Sequence, residues 1–382
     1  MTQKMILPPA WIGILGGGQL GMMLATVAKQ FGYQVAILEP DLNCPAARVA
    51  DKQICTNYDD KDGLRRLAEL CAVVTTEFEN VPAVAIEQIA QTTPVYPSSA
   101  AIKIAQNRIQ EKKFFQSIGL KTADFASIKS LEDCRTVKNN LFPAILKTTT
   151  LGYDGKGQVT VENQTELTQA YQKLGAVECI LEKKVKLAKE VSIIVARNCH
   201  GVQSFPLIEN QHRNGILDVS YIPAQVTQEL IQEASAAAVN LVNSLDYVGL
   251  LTIEFFITQD QELLVNEIAP RPHNSGHITI ESAITSQYEQ QLRAICGLPL
   301  GSTELKQAGA MLNLLGDVWL DSKIDANQIL LTSYPEAKFH WYGKSTAKPG
   351  RKMGHISLTD SDPLKLIYKI RQLKSKLNFS VE

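Results

Sequence analysis

Several features are scarce in this 382-residue sequence, and each scarcity removes a class of function. Net charge is almost absent: 38 Lys and Arg stand against 39 Asp and Glu, so neither nucleic acid nor an anionic membrane is the expected main partner. No CxxC pair occurs, and the seven cysteines (Cys44, Cys55, Cys71, Cys134, Cys179, Cys199, Cys296) are odd in number and scattered. That argues against a disulfide framework and a cysteine-rich zinc site, and free thiols suit a reducing, cytoplasmic setting. No apolar run reaches the roughly 18 residues of a membrane helix. Near the N-terminus, "MILPPAWIGILGGG" is broken by a proline pair and a glycine run, which leaves no signal-peptide core. Internal repeats and low-complexity segments are missing as well.

What is present is 45% hydrophobic residues and length for two or three domains. "WIGILG" (Trp11 to Gly16) reads as a buried strand, Gln19 to Phe31 as an amphipathic helix, and "QVAILEP" as a second strand. "CAVVTTEFENVP" adds a strand, so residues 1 to about 100 predict an open parallel sheet. "PVYPSSAAIKIAQNRIQEKKFFQSIGLKT" opens on a serine cap and predicts one helical run to Gly119. "LFPAILKTTT", "ECILEKKV" and "KEVSIIVARNCHG" read as strands, and Thr227 to Leu245 as a long amphipathic helix. The end of the chain mixes short strands with a last helix, "PLKLIYKIRQLKSKL".

Three stretches carry chemistry. In "GGGQLG", Gly16, Gly18 and Gly21 fit GxGxxG between strand and helix, and Glu39 ends the next strand, where a dinucleotide-binding fold places an acid for the ribose. The competing reading is a tight turn whose helix N-terminus can take any anion. In "LKTTTLGYDGKGQ", Lys147 stands near a strand end, and Gly152, Gly155 and Gly157 make a loop carrying Tyr153, Asp154, Lys156 and Gln158. Such a loop can fold its N–H groups over a polyphosphate while the lysine neutralises charge. An exposed hairpin turn at Asp-Gly is the plainer alternative. The third stretch is "YVGLLTIEFFITQDQELLVN", in which Glu254 is the only charged residue from Tyr247 to Ile257. A turn centred between Asp260 and Gln261 sets Glu254 opposite Glu267, with Asn266 beside it. Facing carboxylates repel unless a proton or a metal lies between them, and magnesium takes carboxylate oxygens plus substrate phosphates. A register slip that leaves one glutamate in solvent is the alternative.

Taken in order, Lys147, the glycine-rich loop, Glu182 in "ILEKKV" and the Glu254, Asn266, Glu267 hairpin resemble an ATP-grasp enzyme. Within that superfamily, "GGGQLG", "EFENVP", "GYDGKGQ", "NEIAPRPHNSGH" and "GRKMGH" together resemble the N5-carboxyaminoimidazole ribonucleotide synthetase family, over nearly the whole chain. Two positions depart from that family's pattern: Leu151 stands where a glycine is usual, and Thr149 where an arginine is.

The resemblance implies an α/β and α+β chain. A Rossmann-like pre-ATP-grasp domain is expected over 1–107, an ATP-grasp domain with a mobile lid over 108–300, and a small C-terminal domain contributing to the substrate site over 301–382. It implies ATP and Mg2+, with bicarbonate phosphorylated to carboxyphosphate and the carboxyl group passed to the amine of aminoimidazole ribonucleotide. By the same resemblance Arg108, Lys147, Gly152, Tyr153, Asp154, Gly155, Lys156, Gly157, Gln158, Asn266 and Glu267 bind ATP. Glu182, Lys183, Lys184 and Val185 line its adenine, Glu190 takes the ribose and His212 lies near the nucleotide. Glu254 and Glu267 are the expected metal ligands. Glu77, Tyr153, Asp154, Lys156, Lys344, Arg351 and Lys352 are expected around aminoimidazole ribonucleotide, and Arg271, His273 and Asn274, with Lys147, at the reacting centre. A homodimer without nucleic-acid or membrane partners is also expected.

Overall fold

The computed structural model describes residues 3–150, 152, 157–320 and 324–378. Leu151 and four expected site residues, Tyr153, Asp154, Gly155 and Lys156, lie outside the described residues. Five short strands, Trp11–Leu15, Gln34–Leu38, Lys52–Ile54, Val73–Thr76 and Val95–Tyr96, pair in parallel in the order third, second, first, fourth, fifth. A parallel sheet is covered on both faces, so its strands read as continuous apolar runs. On one face Ile12, Ile14, Val35 and Ile37 pack against Leu24 of helix Gln19–Gln30 and against Leu292 and Ile295 of helix Gln287–Ile295. On the other, Leu15, Leu38 and Val74 pack against Leu67 and Ile86 of helices Lys61–Leu70 and Ala83–Ala90. The late helix Gln287–Ile295 thus ties the first sheet to the rest of the chain.

The single helix predicted up to Gly119 is two helices, Ser99–Ala105 and Arg108–Ser117. Asn107 separates them in an extended conformation, and its side-chain oxygen accepts the N–H groups of Ile109 and Gln110. Asparagine competes with the helix for backbone donors in this way, which favours a cap over a continued helix. The break points Arg108 into the cleft described below. Asn107→Ala leaves both donors unpaired and is expected to cost about 1 kcal/mol in urea denaturation, with Asn107→Asp close to neutral.

Two antiparallel sheets follow. Strands Phe125–Ile128, Ala144–Thr148, Gln158–Val161 and Cys179–Lys183 form a four-stranded sheet under helices Leu131–Thr136 and Gln164–Lys173. Ala144–Thr148 and Gln158–Val161 are hairpin partners, with Lys147 opposite Gln158, so the glycine-rich loop does join two paired strands. The larger sheet is built on Leu187–Asn198 and Gly249–Thr258. Val191, Ile193 and Val195 face helix Gln228–Ser244, while Ser192, Ile194 and Ala196 face the opposite side, as strand alternation requires. Ala308–Leu315, Lys338–Trp341 and Lys352–Asp360 join this same sheet through Ile216–Ile222, and helix Pro363–Lys376 covers that end. Among the described residues no helix is long and apolar enough to cross a membrane.

Candidate active site

Glu254 stands opposite Glu267, the pairing predicted from the sequence. The route to it differs. Nearer the turn the pairs are Phe255 with Val265, Phe256 with Leu264 and Ile257 with Leu263, and the loop closes through Gln261 at φ 61°. The turn is therefore centred on Asp260, and a bulge at Asn266 restores the register before Glu267. Because of the bulge the consecutive side chains of Asn266 and Glu267 both line the cleft. Each carboxylate has a cationic or N–H partner. Glu267 Oε2 accepts from Arg108 Nη1 at 2.7 Å, and Glu254 Oε1 lies 3.0 Å from His273 Nε2. Burial alone would raise the Glu254 pKa; His273, then His212, outweigh it and hold the group at about 2. Among the described residues no cluster of three or more acidic, histidine or cysteine side chains could hold a metal. A pair of carboxylates on one face fits an ion that completes its shell with phosphate oxygens, as Mg2+ does.

A second layer lies beneath the hairpin. Lys147, on Ala144–Thr148, donates to Glu182 Oε2 at 3.0 Å. Lys112 is almost fully buried and donates to the Asn266 carbonyl at 2.7 Å, with Glu182 at 3.8 Å. Burial opposes ionisation of Glu182, but Lys112 and Lys147 hold its carboxyl near 2. Next to Lys112, Glu111 accepts the Ile268 N–H at 2.8 Å. The sequence reading missed both Glu111 and Lys112; two adjacent charges in a short helix look like a solvated face, and only the contact with the distant hairpin reveals their burial. Burial, then the neighbouring Glu267, raises the Glu111 carboxyl to about 8. With its folded pKa above the unfolded one, Glu111 contributes stability that is complete below about 4.5 and lost as pH rises toward about 8. Glu111→Gln in the nucleotide-free protein is thus expected to reduce the fall in melting temperature between about pH 6 and about pH 9. An unchanged slope in thermal scans would place that titration elsewhere.

The glycine-rich turn of the first sheet has its anion built in. Glu77 accepts the N–H groups of Gly18 and Gly21 at 2.6 and 2.8 Å, and Glu39 accepts that of Gly17 at 2.9 Å. A Cβ on Gly18 would lie 2.5 Å from Glu77 Oε1, which explains the glycine without any dinucleotide. Glu39, expected at a ribose under the dinucleotide reading, is also bonded to Tyr58 Oη. That reading is therefore corrected: the chain's own carboxylates fill the site where a pyrophosphate would sit.

The segment after the hairpin is fixed from several sides. Arg271 Nε donates to Glu79 Oε2 at 2.5 Å, bridging to the loop after Val73–Thr76. Burial opposes it, yet the Arg271 guanidinium holds Glu79 at about 2. Gln287 clamps the His273 backbone, accepting its N–H at 2.9 Å and donating to its carbonyl at 2.8 Å. Gly276 lies flat on the sheet, where a Cβ would collide with Ile194 and Gln287. Neither buried amide atom of Asn274 has a hydrogen-bond partner among the described residues. A buried amide left this way leaves polar groups available to a ligand.

These elements enclose a cavity of about 580 Å³. Of the expected site residues it brings together Glu77, Arg108, Lys147, Gly152, Gln158, Glu190, His212, Glu254, Asn266, Glu267, Arg271, His273, Asn274 and Lys352. Glu190 and His212 form a pair at 2.8 Å, and although burial acts against it, Glu190 raises the His212 pKa. Glu182 lies just behind Lys147, while Gly157, Lys183, Lys184, Val185, Lys344 and Arg351 are not on the cavity wall. Lys344 donates to the Lys352 carbonyl at 2.8 Å and Arg351 to the Thr346 carbonyl at 2.9 Å.

Fold and site together define a class, the ATP-grasp enzymes: a lysine on the small sheet faces paired carboxylates on the large one, with a parallel sheet closing the cleft. Residues 113–288 match the family model of the ATP-grasp domain, 10–106 that of the ribonucleotide synthetase preATP-grasp domain, and 309–369 that of the phosphoribosylaminoimidazole carboxylase C-terminal domain. The N5-carboxyaminoimidazole ribonucleotide synthase of Bacillus subtilis is 44% identical over 94% of this chain and 93% of its own, and that of Brucella melitensis 43% over 94% and 98%. The chain belongs to the N5-carboxyaminoimidazole ribonucleotide synthase family. The ADP complex of one such synthetase superposes with TM-score 0.92 at 41% identity, covering 97% of this chain and 98% of the other. The Aspergillus clavatus enzyme in complex with ADP and 5-aminoimidazole ribonucleotide superposes with TM-score 0.90 at 33% identity, covering 97% and 98%.

Proposed function

We infer that this cleft carboxylates 5-aminoimidazole ribonucleotide to N5-carboxyaminoimidazole ribonucleotide, an ADP-forming, C–N bond-forming step of purine biosynthesis that consumes ATP and bicarbonate. One observation carries the reading: Lys147, the Glu254 and Glu267 pair, and Arg271, His273 and Asn274 all face one cavity. A lysine suited to phosphate charge, a carboxylate pair suited to a metal and a cluster suited to an oxyanion would thereby be adjacent.

The chemistry follows from that adjacency. A bicarbonate oxygen attacks the γ-phosphorus, ADP leaves, and carboxyphosphate forms. Carboxyphosphate releases carbon dioxide and phosphate; the substrate amine attacks the carbon and loses a proton, giving the carbamate. Lys147 and Arg108 offset phosphate charge, which builds on the equatorial oxygens during transfer. Glu254 and Glu267 would hold Mg2+, which when bound neutralises β- and γ-phosphate charge. The planar fork of Arg271 matches two oxygens of bicarbonate, and the Asn274 amide offers both a donor and an acceptor beside it. Glu190 is suited to ribose hydroxyls. Lys352, on the far wall, is suited to the substrate's 5′-phosphate. Closing the cleft would keep water from the intermediate.

The test is ADP release with and without aminoimidazole ribonucleotide and bicarbonate. Release that requires both is expected; release indifferent to the ribonucleotide would point to another acceptor. We also propose a homodimer: exposed apolar residues such as Leu331, Leu364 and Tyr368 leave surface suited to association. Light scattering at micromolar concentration should give twice the chain mass, and a monomer would refute this.

A further inference from the structure

Beneath His273, polar side chains from several strands form one continuous hydrogen-bonded chain. Glu254 Oε1 lies 3.0 Å from His273 Nε2, and His273 Nδ1 lies 2.9 Å from Ser275 Oγ. Ser275 Oγ lies 2.9 Å from Ser192 Oγ, which accepts from Asn210 Nδ2 at 2.9 Å. Asn210 Oδ1 in turn accepts from Ser220 Oγ at 2.8 Å. Ser192, Ser220 and Ser275 are fully buried and Asn210 nearly so. Around them the same side of the sheet is apolar: Ile194, Ile208, Ile222, Ile278 and Met311. Hydroxyls in such a place are costly unless every one is paired, so the chain calls for an explanation beyond packing.

The direction of the chain can be worked out from its ends. Ser220 Oγ has one side-chain partner among the described residues, the Asn210 carbonyl oxygen, so its proton goes there. That turns the Asn210 N–H toward Ser192, whose own proton is then free only for Ser275. Ser275 accepts that proton and donates its own to His273 Nδ1. The Ser275 backbone N–H points at the same nitrogen at 3.4 Å. At the other end Glu254, ionised, can only accept. Both ends demand the same arrangement: Nδ1 accepts and Nε2 carries the hydrogen.

We propose that Ser275, Ser192, Asn210 and Ser220 are positioning residues that hold His273 as the neutral Nε2–H tautomer. His273 then serves as a fixed N–H donor to Glu254, one of the two carboxylates assigned to the metal. It is not the base that takes the proton of the attacking amine, because the nitrogen facing the cleft is already protonated. This rests on the reading of the cleft as a carboxylation site.

Nitrogen-15 NMR of protein labelled in its six histidines tests it, with His273→Gln identifying the resonances. Above neutral pH the His273 Nε2 should carry the proton and Nδ1 should be bare; a proton on Nδ1 of the neutral ring overturns the proposal. That measurement needs no turnover. The expected tautomer in a protein that carboxylates nothing would therefore sink the functional reading and leave the chain standing. Ser275→Ala removes the Oγ donor to Nδ1 and should lower kcat by about tenfold while KM for ATP stays within a few-fold. Ser192→Ala leaves Ser275 its own proton and should lower kcat less. Wild-type kcat in Ser275→Ala would refute the assignment. Should that variant fail to fold, the wild-type spectrum decides alone.

Discussion

Glu267→Gln is expected to lower kcat by at least about a thousandfold while the protein stays folded. The two halves have separate causes. Glutamine matches glutamate in shape but lacks its charge, so phosphate charge in the cleft loses one of the two carboxylates able to hold a metal against it. The fold survives because Glu267 lies at the cleft edge, its side chain 37% exposed. Arg108 keeps its second contact, with the Gly152 carbonyl at 3.1 Å, and stays in the field of Glu182. Melting temperature should therefore shift by only a few degrees. Glu111 supplies an internal check: Glu267 is the second cause of its raised pKa, so in the variant Glu111 should titrate lower. ADP release and a thermal scan measure the two halves. Near wild-type activity at ordinary magnesium would mean that the pair of carboxylates is not the metal site.

The hairpin shows what a sequence can and cannot disclose. A lone glutamate in an apolar strand and a turn signal ahead of a second strand suffice to pair Glu254 with Glu267, because side chains alternate with period two. The bulge at Asn266 is invisible to that logic; an error in the turn centre and an inserted residue cancel in the pairing. Asn107 was open to reading as a cap, yet a serine cap upstream and a run of good helix formers masked it. The glycine turn was legible as an anion site but not the source of its anion, since Glu77 lies 59 residues from Gly18 and strand pairing alone brings them together. Glu79 stood in "EFENVP", a stretch recognised as part of the family pattern, without any local sign that Arg271, 192 residues away, would pair with it. Local periodicity reaches only neighbours along an element, and the contacts that set ionisation in this cleft are long-range.

Arg271→Ala is expected to cut carboxylation by at least about a hundredfold while affinity for ATP stays within a few-fold of wild type. On the proposed reading Glu267 stands at the phosphate end of the cleft, and Arg271, four residues on and lining the same cavity, would reach whatever accepts the phosphate. Its Nε is committed to Glu79, which sets the plane of the guanidinium and aims the fork. Arg271→Lys keeps the charge without the fork and should still lose most activity. The pairing adds a stability effect that must be separated from catalysis. The Glu79 pKa is depressed in the folded state, so its stabilisation is present above about 4.5 and is lost as pH falls toward 2. Removing Arg271 should cost about 1.5–3 kcal/mol at neutral pH by leaving that carboxylate without its partner. Glu79→Gln in the Arg271→Ala background removes the stranded charge, so the double variant should regain stability without regaining turnover. Calorimetric titration of Mg-ATP, urea denaturation and the ADP assay read the three quantities. Loss of ATP binding along with activity would make Arg271 a nucleotide ligand, and recovery of turnover in the double variant would reduce its role to holding Glu79.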